Sequence, residues 1–579
     1  MNHLARFATV VGLLLLTACT RAPTASTAAA QPAAAPAPSA AAAPMPSMPQ
    51  MPASLADWAR GAQLFDGLGS FHRKISTASP EAQQYFDQGM RLMWAFNHDE
   101  STRSFARAAE IDPNCAICFW GVALTVGPNY NVPMMAEPRA KVAFESLRQA
   151  MQLALHASPV ERALIDALQA RYPKPVALDP SNEGPVLTAY ASAMRTVARQ
   201  FPDDLDVQTM FAESLMNISA WKLWTLEGKA STGTDEIVAT LESVLARDPQ
   251  HPGANHYYVH ALEASPHAAT AVAAAERLRG MMPAAGHLEH MPAHIMQRVG
   301  RYEEAAEANR KGAAADRVYL SKTQPPDYYP MYVAHNFQFL GYATAMEGRR
   351  SETLDAMKEM RAAFPESAML AMPGLDWYGA EPYLAMVRFG MWDPLLAEPR
   401  PNPALKVMTG GYLFARATAL AAKNRIAEAR QTLEELDRLR AALPPDTAAG
   451  LNVAPDVLAV GATIAKARIA LAEQHRDAGI AALTEAVVLE DRLAYDEPAD
   501  WFFPVRHLLG AELLKAGRSA DAEAVYREDL KRNPMNGWSL FGLAQALRSE
   551  KKAAEANKID AQFNEAWKHA DITLTASAM

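Results

Sequence analysis

The chain has 579 residues, half of them hydrophobic. It can bury a large interior, yet one compact core seldom grows past about 250–300 residues, so several domains or a repeat array are expected. A formal net charge of −9 supplies no basic stripe and argues against nucleic acid, or an anionic membrane surface, as partner.

In chain order, "MNHLARFATVVGLLLLTAC" has a short polar start with Arg6, an apolar run from Phe7 to Leu16 and small residues before Cys19, the layout of an export signal. The run falls short of the about 20 residues that span a bilayer. "LTAC" resembles the lipobox of bacterial lipoproteins. The resemblance implies removal of residues 1–18, lipidation of Cys19 with palmitate-type acyl chains, and anchoring by their burial in the membrane. Thr20 stands where Asp would signal inner-membrane retention, so the implied address is the periplasmic side of the outer membrane; an ordinary cleaved signal peptide is the alternative. Residues 19–55 are rich in Ala, Pro, Ser and Thr and read as a disordered tether. At its end Met45, Met48 and Met51 stand three apart, and thioethers suit soft metals such as Cu(I).

Self-similarity follows. In "AQQYFDQGMRLMWAFNHDESTRSFARAAEIDPNC", residues 82–115, an aromatic (Tyr85), small residues (Gly89, Ser101, Ala108), a large one (Leu92), a second aromatic (Phe105) and a closing proline (Pro113) recur at positions where two antiparallel helices must approach closely and then stop. Steps of 34 residues bring back the pattern. Pro249 closes one unit, and the next run from 252 to 285 and from Gly286, with Gly300 at the inter-helix turn. The stretch "VYLSKTQPPDYYPMY" reads as an insertion, after which the register resumes at Ala334, with Gly348 at the turn and Pro365 at the close. Later units cover 410–443, 456–490, 503–536 (Gly517, Ala522, Tyr526, Pro534) and 537 onward. No stretch shows sustained period-two alternation.

These residues make the chain similar to the tetratricopeptide repeat family over most of 80–570, and to exported bacterial tetratricopeptide lipoproteins of uncharacterised function through "DPNCAICFWG", "HPGANHYYVHALEASPH" and "AGHLEHMPAHI". The resemblance implies an all-α fold, a right-handed α-solenoid of helical hairpins. The expected organisation is a signal (1–18), a tether (19–55), an N-terminal array with insertions (56–400) and a C-terminal array (401–579).

Of the 15 histidines, His251, His256, His260, His267, His287, His290, His294 and His335 crowd into one stretch. In a tetratricopeptide hairpin the second, fifth, ninth and twelfth residues of the first helix face the concave groove, in keeping with helical steps of three and four. A register fixed by glycine and proline presents His256, His260 and Glu263 from one unit, His287, His290, His294 and Gln297 from the next, and His335 and Gln338 from a third. Pairs at i, i+4 suit one transition metal ion, Zn or Cu above all, with Glu263 or Glu289 as an oxygen donor. Two other uses fit the same residues. With Asn255, Gln297 and Gln338, the histidines can hold a carboxylate or peptide terminus; or they pack against Tyr257, Tyr258 and Met291 with no ligand. Pro292 breaks or kinks the helix between His290 and His294.

Three other places bear on chemistry. Cys115 and Cys118 in "CAIC" are a possible disulfide or a buried thiol pair, and a redox or copper role would involve His98. Trp221 and Trp224 fill a core or wall one end of the groove. Asp496, Glu497, Trp501 and Arg506 in "YDEPADWFFPVRH" fit buried ion pairing and helix capping, with a binding role as the alternative. There is no G-x-S-x-G elbow, no phosphate-binding G-x-x-x-x-G-K-[ST] loop and no H-E-x-x-H. The expectation is a membrane-tethered scaffold or adaptor with a protein or peptide partner and a histidine-lined metal or ligand site. The alternative is a metal-dependent hydrolase or oxidoreductase using the same cluster.

Overall fold

The computed structural model describes residues 51–323, 325, 329–372 and 374–579. The export signal, Cys19, and Met45 and Met48 of the tether lie outside the described residues.

From Pro80 to Ala566 the protein is all-α apart from a two-residue ribbon, a succession of antiparallel helical hairpins. The ribbon, Ala448–Ala449 against Asn452–Val453, is antiparallel with Ala448 opposite Val453. No described helix is long and apolar enough to cross a membrane.

The first hairpin shows why the residues form it. Ser79 caps helix Pro80–Trp94 by accepting from the Ala82 amide, and Pro80 takes the first turn, where its missing N–H costs nothing. Phe96 turns the chain with φ 52°, and Asn97 caps helix His98–Ile111 through the Glu100 amide. The Phe105 ring then lies against two glycines: a Cβ on Gly89 would sit 2.6 Å from it and one on Gly121 2.5 Å. Small residues at these positions set the helix spacing. Gly300, Gly348 and Gly517 occupy the expected turns with φ of 78°, 71° and 74°, the left-handed conformation that ends a helix.

Two expected features take definite form. The stretch read as an insertion is largely helical: helix Tyr302–Lys322 runs on through Val318, and the following helix starts at Tyr329, ahead of Ala334. The extension is held because Tyr319 is buried and its hydroxyl donates to Glu100 in the first hairpin, 3.1 Å away. The groove-facing helix of the Gly286 unit is two short helices, Gly286–His290 and Pro292–Arg298, broken where Pro292 lacks a donor.

The array also curls on itself. Buried apolar residues from Trp58 to Leu574 form one connected cluster. Trp94 of the first hairpin packs on helix Pro252–Leu262, its ring lying against Gly253. From the far end, the indole of Trp538 donates to the Ala345 carbonyl at 2.9 Å, and Trp377 donates to Asp500 at 3.0 Å. The first hairpin and the C-terminal helices thus both reach the units that carry the histidines.

A methyl group on Gly253 has no room beside Trp94, whereas Gly184 is open on all sides. Gly253→Ala should destabilise the fold by about 1–3 kcal/mol, as at other overpacked sites, read as a lower urea midpoint at unchanged m-value. Gly184→Ala should be neutral or stabilise by up to about 1 kcal/mol.

Candidate metal centre

Helix Pro252–Leu262 carries His256 and His260 one turn apart, helix Gly286–His290 carries His287 and His290, helix Pro292–Arg298 carries His294, and helix Tyr329–Met346 carries His335. Their six rings meet. One nitrogen each from His256, His260 and His287 lie within 4.8 Å of one another, and the same holds for His290, His294 and His335. The rings are not on an open groove, as the sequence reading expected. Five are buried and His335 is half-buried. Phe96 stacks over His260 and His287 at 5.6 and 5.9 Å, and Phe339 meets His290 and His294 at 5.3 and 5.1 Å. The closure comes from the curl, which folds the first hairpin's turn and a C-terminal loop over the concave side.

Four rings are oriented by acceptors on one nitrogen. His256 Nδ1–H donates to the Trp94 carbonyl (2.5 Å), His260 Nδ1–H to Glu263 (3.0 Å), His290 Nδ1–H to Asn309 Oδ1 (2.6 Å) and His335 Nδ1–H to Gln338 Oε1 (3.1 Å). The Asn309 and Gln338 amides are fixed in that sense because their NH2 groups donate elsewhere, to Ala305 and Glu381. In each neutral ring the lone pair is therefore left on Nε2. His256 Nε2 faces His287 Nε2 at 3.2 Å, His290 Nε2 faces His294 Nε2 at 2.7 Å, and the buried His260 Nε2 has no hydrogen-bond partner. An acceptor behind four of the six imidazoles, which leaves their Nε2 lone pairs free, is the arrangement that presents histidine to a metal ion.

His294 differs from the others. Its Nδ1 lies 2.9 Å from Glu263 and 2.5 Å from Glu497, yet neither contact is aligned as a hydrogen bond, and both Glu497 oxygens lack a hydrogen-bond partner. Burial opposes charge on His294, but the carboxylates of Glu497 and Glu263 outweigh it and raise its pKa to about 10. Burial alone would raise Glu263; His260 and His294 pull it down to about 2 instead. Burial, reinforced by the neighbouring imidazoles, holds His256, His287 and His290 well below the usual histidine range. One cation clamped by carboxylates thus stands among neutral rings.

Other predicted residues take different places. Gln338 orients His335. Gln297 is buried on the His294 helix, its carbonyl oxygen without a hydrogen-bond partner. Asn255 does not face a ligand: its amide donates to the Pro249 and His251 carbonyls and its oxygen accepts from Arg277, securing the helix start. Glu289 turns away to accept from the Gly280 amide at 2.9 Å. Trp221 does wall the site, edge-on to His260 at 5.8 Å, whereas the Trp224 indole donates to the Ala261 carbonyl. Cys115 and Cys118 are joined in a buried disulfide.

The residue missed is Glu497. Its neighbours behave as ion pairing and packing predict: Arg506 pairs with Asp491, Asp496 accepts from the Leu451 amide, and Trp501 packs on Phe414. Glu497 alone leaves that cluster for His294. A carboxylate beside a proline in an acidic loop was the visible signal; its partner, about two hundred residues away, was not.

No protein family matches the chain, and no curated protein does. Solved structures do match. The human IFIT1 dimer with m7Gppp-AAAA is similar at 11% identity over 78% of this chain and 90% of that one, with a TM-score of 0.30. The APC/C hetero-tetramer Cut9–Hcn1 is similar at 12% identity over 88% and 81%, TM-score 0.31. Yeast Tom70 is similar at 12% identity over 83% and 96%, TM-score 0.29.

Proposed function

We propose that the protein is a membrane-tethered helical-hairpin scaffold that holds a transition metal, Zn or Cu, in the histidine centre and engages a protein partner through the outer faces of its hairpins. The observation that carries the metal reading is the set of oriented imidazoles: Trp94, Glu263, Asn309 and Gln338 each hold one nitrogen, and the other is left facing its neighbours. Neutral imidazoles with few carboxylates favour Zn and Cu over Mg or Ca. Because the rings are enclosed, the metal ties together the hairpins that carry them, and a substrate would reach it only if a covering segment moved. The scaffold role is therefore preferred to the hydrolase or oxidoreductase. The tether, the periplasmic side of the outer membrane and the acyl anchor on Cys19 belong to the same proposal and rest on "LTAC".

Three outcomes are expected. Elemental analysis of the purified protein should find Zn or Cu at stoichiometric level, and chelation should lower the melting temperature; a site filled at about 1,000 times its Kd contributes about 4 kcal/mol. Metal-free protein with no affinity for either ion would sink the reading.

Metal uptake must displace the proton on His294, whose folded pKa of about 10 exceeds the ordinary 6.5. Affinity should therefore fall by up to about tenfold per pH unit as pH drops below that value, and proton release should accompany binding in calorimetry. In the metal-free protein the sign is opposite: the contribution of the His294 proton to stability is complete below 6.5 and lost as pH rises through about 10. Thermal melts of His294→Gln should lack that loss.

Cys19→Ala should shift the protein from the membrane to the soluble fraction on cell fractionation. Retention in the membrane would remove the lipid anchor from the proposal.

A further inference from the structure

Resting on the metal reading above, we propose that the six histidines hold two metal ions side by side, one in the trio His256, His260 and His287 and one in the trio His290, His294 and His335, with Glu263 and Glu497 positioning the rings.

The argument begins with ligand number. Six imidazoles exceed the four donors of a tetrahedral Zn or Cu(I) site. They would suit one ion only as an octahedron, and with bonds of about 2.1 Å the most distant donors would then stand about 4.2 Å apart. All six nitrogens would form a single group at that spacing. Instead they fall into two groups of three, each internally within 4.8 Å.

The ring centroids form one continuous chain across both trios, with His260–His287 at 6.0 Å and His294–His335 at 5.9 Å inside them, so the division rests on the nitrogen positions. Within the first trio the centroids of His256 lie 4.9 Å from His260 and 5.0 Å from His287. Within the second, those of His290 lie 4.7 Å from His294 and 4.8 Å from His335. The trios touch through His260 and His294, and through His287 and His290, both at 5.8 Å. Two three-imidazole sites therefore adjoin, with the Glu263 side chain in contact with both His260 and His294. Three protein donors leave each ion one further position, as at sites that bind water or a small ligand.

The carboxylates have separate work. Glu263 touches one ring of each trio, His260 at 3.0 Å and His294 at 2.9 Å, so one side chain couples the orientation of both sites. Glu497 touches His294 alone, on Nδ1, opposite the nitrogen that faces His290. Burial raises the Glu497 carboxyl to about 7; in its ionised form it raises the basicity of His294 as a ligand and would offset the charge brought in by the ions. Glu263, His294 and Glu497 also form a trio of donors within 4.8 Å, but an ion there would take the nitrogen by which the carboxylates hold the ring.

The test uses metal-stripped full-length protein titrated with Cu(II) and followed by bound copper per chain and electron paramagnetic resonance. Two equivalents are expected, with the second bringing magnetic coupling seen as broadening or loss of the mononuclear signal. His256→Ala with His260→Ala should remove one equivalent and the coupling, leaving a mononuclear spectrum. His290→Ala with His335→Ala should remove the other. The wild-type stoichiometry and coupling decide the matter even if a variant fails to fold. A single uncoupled equivalent in wild type, abolished by either double variant, overturns the two-ion inference and leaves a single metal centre. No bound copper or zinc in wild type overturns the metal reading as well.

Discussion

Imidazole nitrogens removed from water must each find a partner, and that requirement governs the middle of this protein. A buried polar group without one costs about 1–3 kcal/mol, and a buried charge costs more. Six rings in one interior would be prohibitive if left to themselves. The fold meets the demand on one side of each oriented ring, through a backbone carbonyl, two amides and a carboxylate. On the other side His256 and His290 face further imidazole, and His260 Nε2 has no hydrogen-bond partner. A proton on His294 satisfies part of that inner face in the metal-free state, and metal ions would satisfy the whole of it.

The hairpin architecture makes such a centre possible because it stacks equivalent helix positions. Close approach of neighbouring helices, set by Gly89 and Gly121 against Phe105 and repeated along the array, brings groove-facing residues of successive units within ring contact. The break at Pro292 is part of the design: two short helices let His290 and His294 face each other through Nε2 at 2.7 Å. The curl of the array then does what a single hairpin cannot. It places Phe96 above the rings and Glu497 behind His294, converting a concave surface into an interior of low dielectric, where imidazoles stay neutral and carboxylates act strongly.

The parts of the centre differed in how far they were legible. His256 and His260, and His290 and His294, stood at helical spacing, and a register set by glycine and proline placed them on facing helices. That register rests on local sterics, which sequence displays. The roles of Asn255 and Glu289 were not legible, because competition between a ligand and a nearby backbone donor or acceptor depends on distances of a few ångströms. Asn255 was taken by the Pro249 and His251 carbonyls and Glu289 by the Gly280 amide. That Val318 to Lys322 prolong a helix was not legible, because the burial of Tyr319 against the first hairpin is a tertiary contact.

By itself the sequence determined the all-α hairpin class, the turn glycines, the closing prolines and the residues that meet at the histidine centre, since these follow from helix periodicity and from how closely two helices can pack. Only the tertiary structure decided that the centre is closed, that its imidazole nitrogens fall into two trios, and that Glu497 belongs to it. Those features arise where the two ends of the array fold back on its middle. No local pattern encodes such a contact, because its energy comes from surfaces far apart in the chain.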